Sequence, residues 1–354
     1  MSDVVVIGAG RAGRAVAGAL GALDVRVVER REGEQVVSIQ QGTSGALHVN
    51  TVGMAGPATI VTRAVVLATG SRERGVGARL IAGNPTAGVY TGSQLRAEPR
   101  LAGRTAVVLG ADQRGFAGAA AARRGGARVK AVVTPWSRHQ VSGLVFWLAR
   151  VRNALSLKTG AYITAITGHE RVTGVDVTYR DGRVEHITCD TVVLTGDMVP
   201  EYEVAIRSGL LMDSVTKGPA VDATGRTSRA GVFAVGSVVN PGWVGGPVGA
   251  RAVAHGVRRY LDEGQWPRAV EVRAGTQLQW VSPAFALPPA PDAVFFTVAR
   301  MFADEAWIVV RQDARELGRF AVGAIEPAIP IRFPGDWLDA LDVDGGPVTV
   351  DLVW

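Results

Sequence analysis

The sequence predicts an α/β fold with two nested Rossmann-like three-layer domains and a small β-rich C-terminal domain. Two glycine-containing turns, at 8–13 and 110–115, each follow a run of apolar residues and open an alanine-rich segment, which is the strand–turn–helix order of a dinucleotide-binding unit. A third apolar run, at 231–235, ends in glycine and precedes a helical segment at 245–261, so the chain is expected to return to the first domain. From about Trp266 the sequence is rich in prolines, tryptophans and alternating strand patterns, which indicates the β-rich domain.

The first turn has the spacing Gly-x-Gly-x-x-Gly, at Gly8, Gly10 and Gly13, between a predicted strand and a predicted helix. The next predicted strand ends in Glu29, about twenty residues further on, where an acidic side chain can accept hydrogen bonds from ribose hydroxyls. Glycines allow the backbone to approach a pyrophosphate, and the helix N-terminus offers N–H groups and the positive end of its dipole. The turn is therefore interpreted as a dinucleotide site; the alternative is that its glycines serve only close packing between helix and strand.

The pattern changes several times between and after the turns. Short β-rich pieces from 35 to 61 predict an antiparallel meander, and 64–68 is predicted to be a buried strand closed by Thr69 and Gly70. Residues 71–103 are rich in glycine, arginine and proline and are interpreted as a connector. After the second turn a helix is expected at 143–155 and strands at 161–166, 174–179, 184–188 and 191–195.

The second turn keeps Gly110 and Gly115 but has Asp112 where the middle glycine belongs. A carboxylate at that position repels a pyrophosphate, and the strand that follows ends in 134–138 without the acidic residue that would hold an NAD ribose. Arg138 could instead meet the 2′-phosphate of NADP. Two interpretations stay open: an NAD(P) site, or a Rossmann-like scaffold kept for packing or for a partner.

Composition narrows the class of protein. Cys189 is the single cysteine, which excludes an intramolecular disulfide framework, a four-thiolate zinc site and a Cys-x-x-Cys pair, and predicts a reducing, cytoplasmic compartment. No apolar run approaches the roughly 18 residues that span a bilayer, and the first residues enter a strand at once, so neither membrane insertion nor export is expected. The net charge of +6 comes mostly from arginines spread along the chain, which does not favour nucleic acid as a partner.

No side chain can be assigned as the catalytic acid or base from the sequence. The five histidines lie far apart, so no metal site is expected, and only His139 and His255 are kept as candidate site residues against an ordinary surface role. Cys189 is expected in the core. Neither a Gly-x-Ser-x-Gly elbow nor a P-loop is present, so hydrolase and nucleotide-kinase functions are not favoured.

The aromatic residues of the C-terminal domain recur at strand-like spacing. They are expected to form its core rather than a ligand-stacking face, with an interface as the alternative. These residues are Trp280, Phe295, Phe296, Trp307 and Trp337.

Four segments together resemble the pyridine nucleotide-disulfide oxidoreductase superfamily: GAGRAG at 8–13, VVLATGSRER at 65–74, the turn at 110–115 and GVFAVG at 231–236. The resemblance covers roughly residues 1–263. Within it, ATGSRER at 68–74, GVYTG at 88–92 and CDTVVLTGD at 189–197 are similar to the thiol-less branch, which contains the FAD subunits of opine oxidase, hydrogen cyanide synthase and heteromeric sarcosine oxidase.

The resemblance implies a discontinuous FAD-binding domain, 1–90 plus 195–263, which encloses an NAD(P)-binding-like domain at 91–194 and is followed by the β-rich domain at 266–354. FAD is the implied cofactor, and NAD(P) is a doubtful second one because of Asp112. The implied FAD-contacting residues are Gly8, Gly10, Arg11, Ala12, Gly13, Glu29, Arg30, Ala68, Thr69, Gly70, Gly236, Ser237, Gly245 and Gly246.

The sequence also departs from the family pattern. After Glu29 the chain goes almost directly to strands, so part of the usual flavin wall is missing. Ser237 stands where the family has an aspartate that binds the pyrophosphate. The cysteine cluster that anchors an iron–sulfur centre in some relatives is absent, so any such centre would belong to a partner subunit.

The expected function is that of an FAD-dependent oxidoreductase or dehydrogenase subunit without a redox-active disulfide. It would transfer a hydride between a small metabolite such as an amine or amino acid, or NAD(P)H, and the flavin. One alternative is a degenerate flavoprotein homologue that acts as a structural or regulatory subunit, and another is an NADPH-dependent flavin reductase. The expected partners are a small-molecule substrate and an oxidoreductase or iron–sulfur subunit, with assembly of identical copies left open.

Overall fold

The computed structural model describes residues 1–29, 33–42, 45–84, 86–141, 156–241, 247–288, 294–301, 303–327 and 329–354. The chain forms two compact units, one built from residues 1–71 and 199–354 and the other from residues 72–198. The helix that the sequence predicts at 143–155 lies outside the described residues. No helix in the described part of the chain is long and apolar enough to cross a membrane.

The first stretch of the chain forms a parallel sheet that continues into an antiparallel meander. Its elements are β1 (Ser2–Ile7), α1 (Arg11–Leu20), β2 (Val25–Val28), β3 (Gln35–Gln41), β4 (Leu47–Gly53) and β5 (Gly56–Leu67). β1 lies between β2 and β5 and is parallel to both, whereas β4 is antiparallel to β3 and to the first half of β5. β5 thus extends eight residues further towards the N-terminus than the predicted strand at 64–68.

The second unit contains another parallel sheet and its own three-stranded meander. Its elements, with the short strands at the two crossings between units, are β6 (Ser71–Glu73), β7 (Val89–Thr91), α2 (Gly92–Ala97), β8 (Thr105–Leu109), α3 (Gln113–Arg124), β9 (Arg128–Val133), β10 (Ser156–Lys158), β11 (Ala161–Gly168), β12 (Val172–Tyr179), β13 (Val184–Thr188), β14 (Thr191–Leu194) and β15 (Met198–Pro200). The parallel strands follow the order β10-β9-β8-β14-β7, and β11, β12 and β13 pair in sequence. The strands predicted from 161 to 195 are confirmed to within two residues.

The interpretation of residues 71–103 as a connector is wrong in its second half. β7 pairs in parallel with β14 and so belongs to the sheet of the second unit. α2 follows directly and begins with a capping box, in which the Thr91 hydroxyl accepts the backbone N–H of Gln94 (3.2 Å) and the Gln94 side chain accepts that of Thr91 (2.8 Å). A strand of three residues is too short to show periodicity, but Thr-x-x-Gln is a helix-start signal that the sequence did contain.

The chain then returns to the first unit and adds the C-terminal β-structure. The elements are α4 (Glu203–Arg207), β16 (Val232–Ala234), α5 (Pro247–Glu263), β17 (Val270–Ala274), β18 (Leu278–Ser282), β19 (Phe285–Ala286), β20 (Val294–Ala299), β21 (Ala306–Gln312), β22 (Arg315–Val322), β23 (Pro330–Pro334) and β24 (Val348–Val353). β16 is parallel to β5 and completes a four-stranded parallel region. The C-terminal strands form a five-stranded sheet, β19-β17-β24-β21-β22, and a three-stranded sheet, β18-β20-β23. The predicted fold class is confirmed.

The five aromatic residues predicted to form the core of the C-terminal domain differ in their burial. Phe295 packs against Phe333 and Trp337, with ring centroids 5.7 and 4.8 Å away, and all three are buried. Trp280 and Phe296 are half-buried. Trp307 is 44% exposed, so its assignment to the core is wrong, because β21 turns this side chain to the outer face of its sheet.

The helix of the first glycine turn is held between sheet and helix. α1 buries Val16 and Leu20 on one face, as its apolar spacing dictates. Its last carbonyls are satisfied from α5, where the Arg258 guanidinium donates to Ala19 O (2.8 Å) and Leu20 O (3.0 Å). The C-terminal end of α1 is therefore fixed, and its N-terminal end is positioned at the edge of the parallel sheet.

Candidate functional site

Four parallel strands of the first unit end in one row. Ile7 of β1 is paired with Val28 of β2 and with Leu67 of β5, and Leu67 is paired in turn with Ala234 of β16. Because the carboxyl ends of parallel strands meet at the same edge of a sheet, the turns that follow these residues lie side by side. Ligands of open α/β sheets bind at this edge.

Backbone hydrogen bonds continue the row one residue beyond the strands. Gly8 N–H donates to Val28 O, Ala68 N–H donates to Ile7 O, and Val235 N–H donates to Leu67 O, each at 2.9 Å. The first residue of each of these turns is thus locked to the neighbouring strand. The sheet's hydrogen bonding therefore continues into the first residue of each of these turns.

Gly8 and Gly13 are required by close packing. Gly8 has a φ of +109°, and a Cβ there would lie 2.4 Å from the carbonyl oxygen of Ala68. A Cβ on Gly13 would lie 1.9 Å from the carbonyl oxygen of Gly8. The space beside both glycines is filled by protein backbone, so these two positions bring α1 and the turn after β5 against the first turn.

Gly10 is different, because the space beside it is open. No described heavy atom lies within 4 Å of the position that a Cβ on Gly10 would take. Gly10 is the N-cap of the ten-residue helix α1 and no side-chain hydrogen bond caps it. The first N–H groups of α1 and the positive end of its dipole are thus left without a cap from a Gly10 side chain, as in helix N-termini that bind anions, and the exposed Arg11 adds a positive charge nearby.

The turn after β5 is tied down by a residue that the sequence analysis missed. The Thr69 hydroxyl donates to the carbonyl oxygen of Glu201 (2.8 Å), and the Glu201 N–H donates to the carbonyl oxygen of Gly70 (2.9 Å). Gly70 has a φ of +88°, and a Cβ there would lie 3.9 Å from the Ser237 hydroxyl. Glu201 acts through its backbone, so no side-chain pattern could have indicated it.

The turn after β16 packs against the first turn of α1. Gly236 has a φ of +82°, and a Cβ there would lie 2.8 Å from Cβ of Ala12. Gly236 opens a short 3-10 turn to Val238, which carries Ser237 towards Gly70. A side chain larger than glycine at 236 would push the turn away from the helix.

The structure brings most of the sequence-predicted site residues together at this edge. Those around the N-terminus of α1 and the two neighbouring turns are Gly8, Gly10, Arg11, Ala12, Gly13, Ala68, Thr69, Gly70, Gly236 and Ser237. Glu29 directly follows the end of β2 at the same edge. Arg30, Gly245 and Gly246 lie outside the described residues.

The turn of the second unit shares this backbone but is capped differently. Gly110 has a φ of +115°, and a Cβ on Gly115 would lie 1.9 Å from the carbonyl oxygen of Gly110. Asp112 is the N-cap of α3, and its Oδ1 accepts the backbone N–H of Gly115 at 2.8 Å. The anion at this helix N-terminus is a side chain of the chain itself.

The other candidate groups that the sequence offers are one cysteine and two histidines. Burial raises the pKa of Cys189 to about 11, so its thiol stays protonated at neutral pH, and it lies in the core as expected. His255 is exposed near the middle of α5, and His139 lies in the segment after β9. Among the described residues no group of three or more His, Cys, Asp or Glu side chains could hold a metal ion.

Solved structures with this fold include several reductases. Thioredoxin reductase of T. acidophilum has 20% sequence identity and a TM-score of 0.62, with 75% of this chain and 99% of that chain covered. Thioredoxin reductase of Lactococcus lactis has 16% identity and a TM-score of 0.63, covering 74% and 100%. An FAD-dependent pyridine nucleotide-disulphide oxidoreductase from Desulfovibrio vulgaris has 18% identity and a TM-score of 0.59, covering 93% and 87%. No curated protein matches the chain.

The geometry at the first turn fits the adenine-dinucleotide part of FAD. The uncapped helix N-terminus at Gly10 and the open space beside it suit a pyrophosphate, and Glu29 stands at the end of the second strand, where a ribose is held in such folds. The family model for pyridine nucleotide-disulphide oxidoreductases matches residues 25–258, which is well over half of the chain. The protein therefore belongs to this family of FAD-dependent oxidoreductases, whose members bind FAD and NAD(P).

Proposed function

We propose that the chain holds FAD at its first glycine turn and acts as an oxidoreductase subunit without a redox-active disulfide. It would transfer a hydride between a small metabolite such as an amine or amino acid, or NAD(P)H, and the flavin. The observation that carries this proposal is the N-terminus of α1, which is uncapped at Gly10 and open at the edge where four strand ends meet.

Each group of residues at this edge would contact a different part of the cofactor. The first N–H groups of α1 would bind the pyrophosphate, with Arg11 adding attraction, and the Glu29 carboxylate would accept hydrogen bonds from the adenosine ribose. Ala68–Gly70 would lie against the adenosine and pyrophosphate, and Gly236 with Ser237 against the pyrophosphate and ribitol. Ser237 stands where the family has an aspartate, and its hydroxyl keeps a hydrogen-bonding group there, so this departure does not forbid FAD.

The flavin end would lie near the N-terminus of α5, which would point at the pyrimidine edge of the flavin, where the helix dipole favours negative charge. Gly245 and Gly246, outside the described residues, stay predicted cofactor-binding residues. FAD supplies a two-electron acceptor, so that an amine loses a hydride and a proton and becomes an imine. The protein's part is to bind and orient the cofactor and to exclude water from it.

The proposed electron path does not use a dithiol. A redox-active disulfide within the chain needs two cysteines, and the sequence contains one. Cys189 is buried, and its raised pKa keeps it protonated, so it is a poor nucleophile. Although thioredoxin reductases share the fold, electrons are proposed to pass directly between an organic substrate and the flavin.

The resemblance of 68–74, 88–92 and 189–197 to the thiol-less branch supports the choice of substrate and partner. Opine oxidase and sarcosine oxidase, named for their amine-type substrates, suggest an amine or amino acid, and an iron–sulfur or other redox subunit would take the electrons onward. A reducing cytoplasm is the proposed compartment.

One observation favours a second candidate function. β2 ends at Val28 and β3 begins at Gln35, so the stretch between them is shorter than the loop and helix that the resembled family has there, and part of the flavin-binding surface would be lacking. A chain that binds FAD poorly for this reason would act as a structural or regulatory subunit of a catalytic partner.

The visible absorption spectrum of the purified chain tests the proposal. Bands of oxidised flavin, with FAD released on denaturation in about one copy per chain, are expected. Gly10→Asp should abolish FAD binding, because the new carboxylate would cap α1 and repel the pyrophosphate. Gly18→Asp is the matched control, because Gly18 lies on the same helix and also faces open space.

The outcomes separate the two candidate functions. Loss of FAD in the Gly10 variant with retention in the Gly18 variant supports the oxidoreductase. A colourless chain that does not take up added FAD rejects it in favour of the regulatory subunit.

A further inference from the structure

The two glycine turns of the chain form a natural comparison. In both, the last glycine packs so tightly on the first that an added Cβ would come within 1.9 Å of a backbone oxygen, for Gly13 on Gly8 and for Gly115 on Gly110. The backbone paths therefore match. What differs is the middle position, which is Gly10 in one turn and Asp112 in the other.

Asp112 occupies one of the backbone N–H groups that a helix N-terminus offers to an anion. Its Oδ1 accepts the N–H of Gly115 at 2.8 Å, in the first turn of α3. Its Oδ2 lies 3.8 Å from Nη1 of Arg114, and the side chains of both residues are about three-quarters buried. The negative charge at this helix N-terminus is thus supplied and partly neutralised inside the protein.

A second segment of the chain is fixed against the same turn. The backbone N–H of Gln140 donates to the carbonyl oxygen of Ala111 at 2.9 Å, and Gln140 is 6% exposed. This contact places the segment after β9 beside Asp112. At the end of β9, where an NAD-binding domain has an acidic residue for the ribose, Thr134 is fully buried and donates its N–H to the carbonyl oxygen of Lys158.

Further charged side chains of the protein gather at this edge of the second sheet. β7, β8 and β14 end in register there, and Gly92 follows β7. Glu73, whose side chain is 1% exposed, lies 4.0 Å from Arg96, and a Cβ on Gly92 would come within 3.0 Å of its Oε1. Burial lowers the pKa of Arg114, although Asp112 and Glu73 act in the opposite direction.

We infer that the second glycine turn is closed to NAD(P) by the chain's own Asp112 carboxylate, and that the family's nicotinamide nucleotide does not bind at this turn. A bound pyrophosphate would have to displace Asp112 from the Gly115 N–H and would meet the repulsion of that carboxylate and of Glu73. The second domain keeps the fold of a dinucleotide-binding domain, but the N-terminus of α3 is no longer available to bind a phosphate.

This inference rests on the proposed function and narrows it. The proposed function names two possible hydride donors, a small metabolite and NAD(P)H. If NAD(P)H does not bind at the second turn, the donor is the small metabolite, such as an amine or amino acid. The chain would then be a dehydrogenase for an organic substrate and not a nicotinamide-dependent reductase.

Calorimetric titration of the FAD-saturated protein with NAD⁺ and with NADP⁺ tests the inference. Wild-type protein is expected to show no saturable binding up to about 1 mM. In a parallel anaerobic titration, NADH and NADPH should leave the flavin absorption unchanged. Saturable binding of either nucleotide below about 1 mM, or bleaching of the flavin, overturns the inference.

Three variants assign the effect to Asp112. Asp112→Gly recreates the first turn and is expected to bind NAD⁺ or NADP⁺ at least about tenfold more tightly than wild type, since it frees the donor and removes the charge. Asp112→Asn removes the charge but keeps an acceptor for Gly115, so it should gain less. Asp181→Gly is the matched control: Asp181 also accepts a backbone N–H, from Arg183 at 3.0 Å, but is exposed in a hairpin turn of the same unit.

The result can be read whatever happens to the flavin. Binding of nucleotides is measured by heat, so a chain without FAD would contradict the proposed function while the comparison between wild type and the Asp112→Gly variant still stands. If the Asp112→Gly chain is folded by circular dichroism and binds no more tightly than wild type, Asp112 does not close the turn and the inference fails.

Discussion

Gly13 lies against Gly8 so closely that a Cβ at residue 13 would come within 1.9 Å of the Gly8 carbonyl oxygen. The two residues fix how α1 leaves the sheet. Because the obstacle is backbone, it cannot rotate away as a flexible side chain could, and any larger residue must push α1 outward.

Gly13→Ala is expected to destabilise the first unit by about 1–3 kcal/mol through this overlap. Gly18→Ala, on the same helix in open space, should instead stabilise it by about 0.5–1 kcal/mol, because alanine is the better helix former. Urea unfolding followed by circular dichroism measures both. Equal effects of the two substitutions would mean that the turn can relax around a methyl group.

Arg79→Ala should destabilise the second unit by about 1–3 kcal/mol, since it leaves several carbonyl oxygens without a donor. The Arg79 guanidinium donates to the carbonyl oxygens of Arg74 (2.9 Å), Thr195 (3.1 Å) and Gly196 (2.8 Å). Arg100→Ala is the control, because Arg100 is 86% exposed and pairs with Glu98 on the surface. Its effect on the free energy of unfolding should be within about 0.5 kcal/mol. A loss as large for Arg100 as for Arg79 would contradict this assignment.

Cys189 predicts a loss of stability in alkali. Burial raises its folded-state pKa from 9.0 to about 11, so between these pH values the unfolded chain releases a proton that the folded chain keeps. The free energy of unfolding should therefore fall as the pH rises from 9 towards 11 and be insensitive to this group below pH 9. Comparing wild type with Cys189→Ala across this range isolates the effect; parallel slopes for the two proteins would exclude it.

Two tryptophans of the C-terminal region should differ in what their removal costs. Trp337 is 2% exposed and packs on Phe295, so Trp337→Ala is expected to lower the free energy of unfolding by about 3–5 kcal/mol. Trp307 is 44% exposed, so Trp307→Ala should lower the free energy of unfolding by less than about 1.5 kcal/mol. Thermal unfolding monitored by near-ultraviolet circular dichroism gives both values. A reversed order would place the core on the other face of β21.

Apolar runs and glycine turns allowed much of the architecture to be predicted, because both patterns are local. The strands that end at Ile7, Leu67 and Ala234 could be recognised one by one, and the resemblance placed their turns near one cofactor. Their common register is a relation between distant segments and appears only in the structure. β7 escaped detection because three residues carry no periodicity, although the capping box of α2 beside it was readable.

Contacts made by backbone groups could not be predicted from the sequence. Glu201 fixes the turn after β5, and Gln140 fixes the second glycine turn, each through N–H or C=O groups that every residue type possesses. Asp112 was recognised as an obstacle to a pyrophosphate. That it caps its own helix follows a known preference for aspartate at the N-cap, but its distance to Gly115 required coordinates.

β5 pairs with β4 in the antiparallel meander and with β1 and β16 in the parallel sheet, and this has a consequence for the order in which the first unit folds. Its first half closes a hairpin with β4 through a two-residue turn after Gly53, and β4 closes another with β3, so all these contacts are short-range in sequence. Hairpins of this kind form within microseconds, long before segments far apart along the chain can meet. We expect the meander to form first and to present the second half of β5 as a ready-made template, on which β1 and the much later β16 then dock to assemble the cofactor edge.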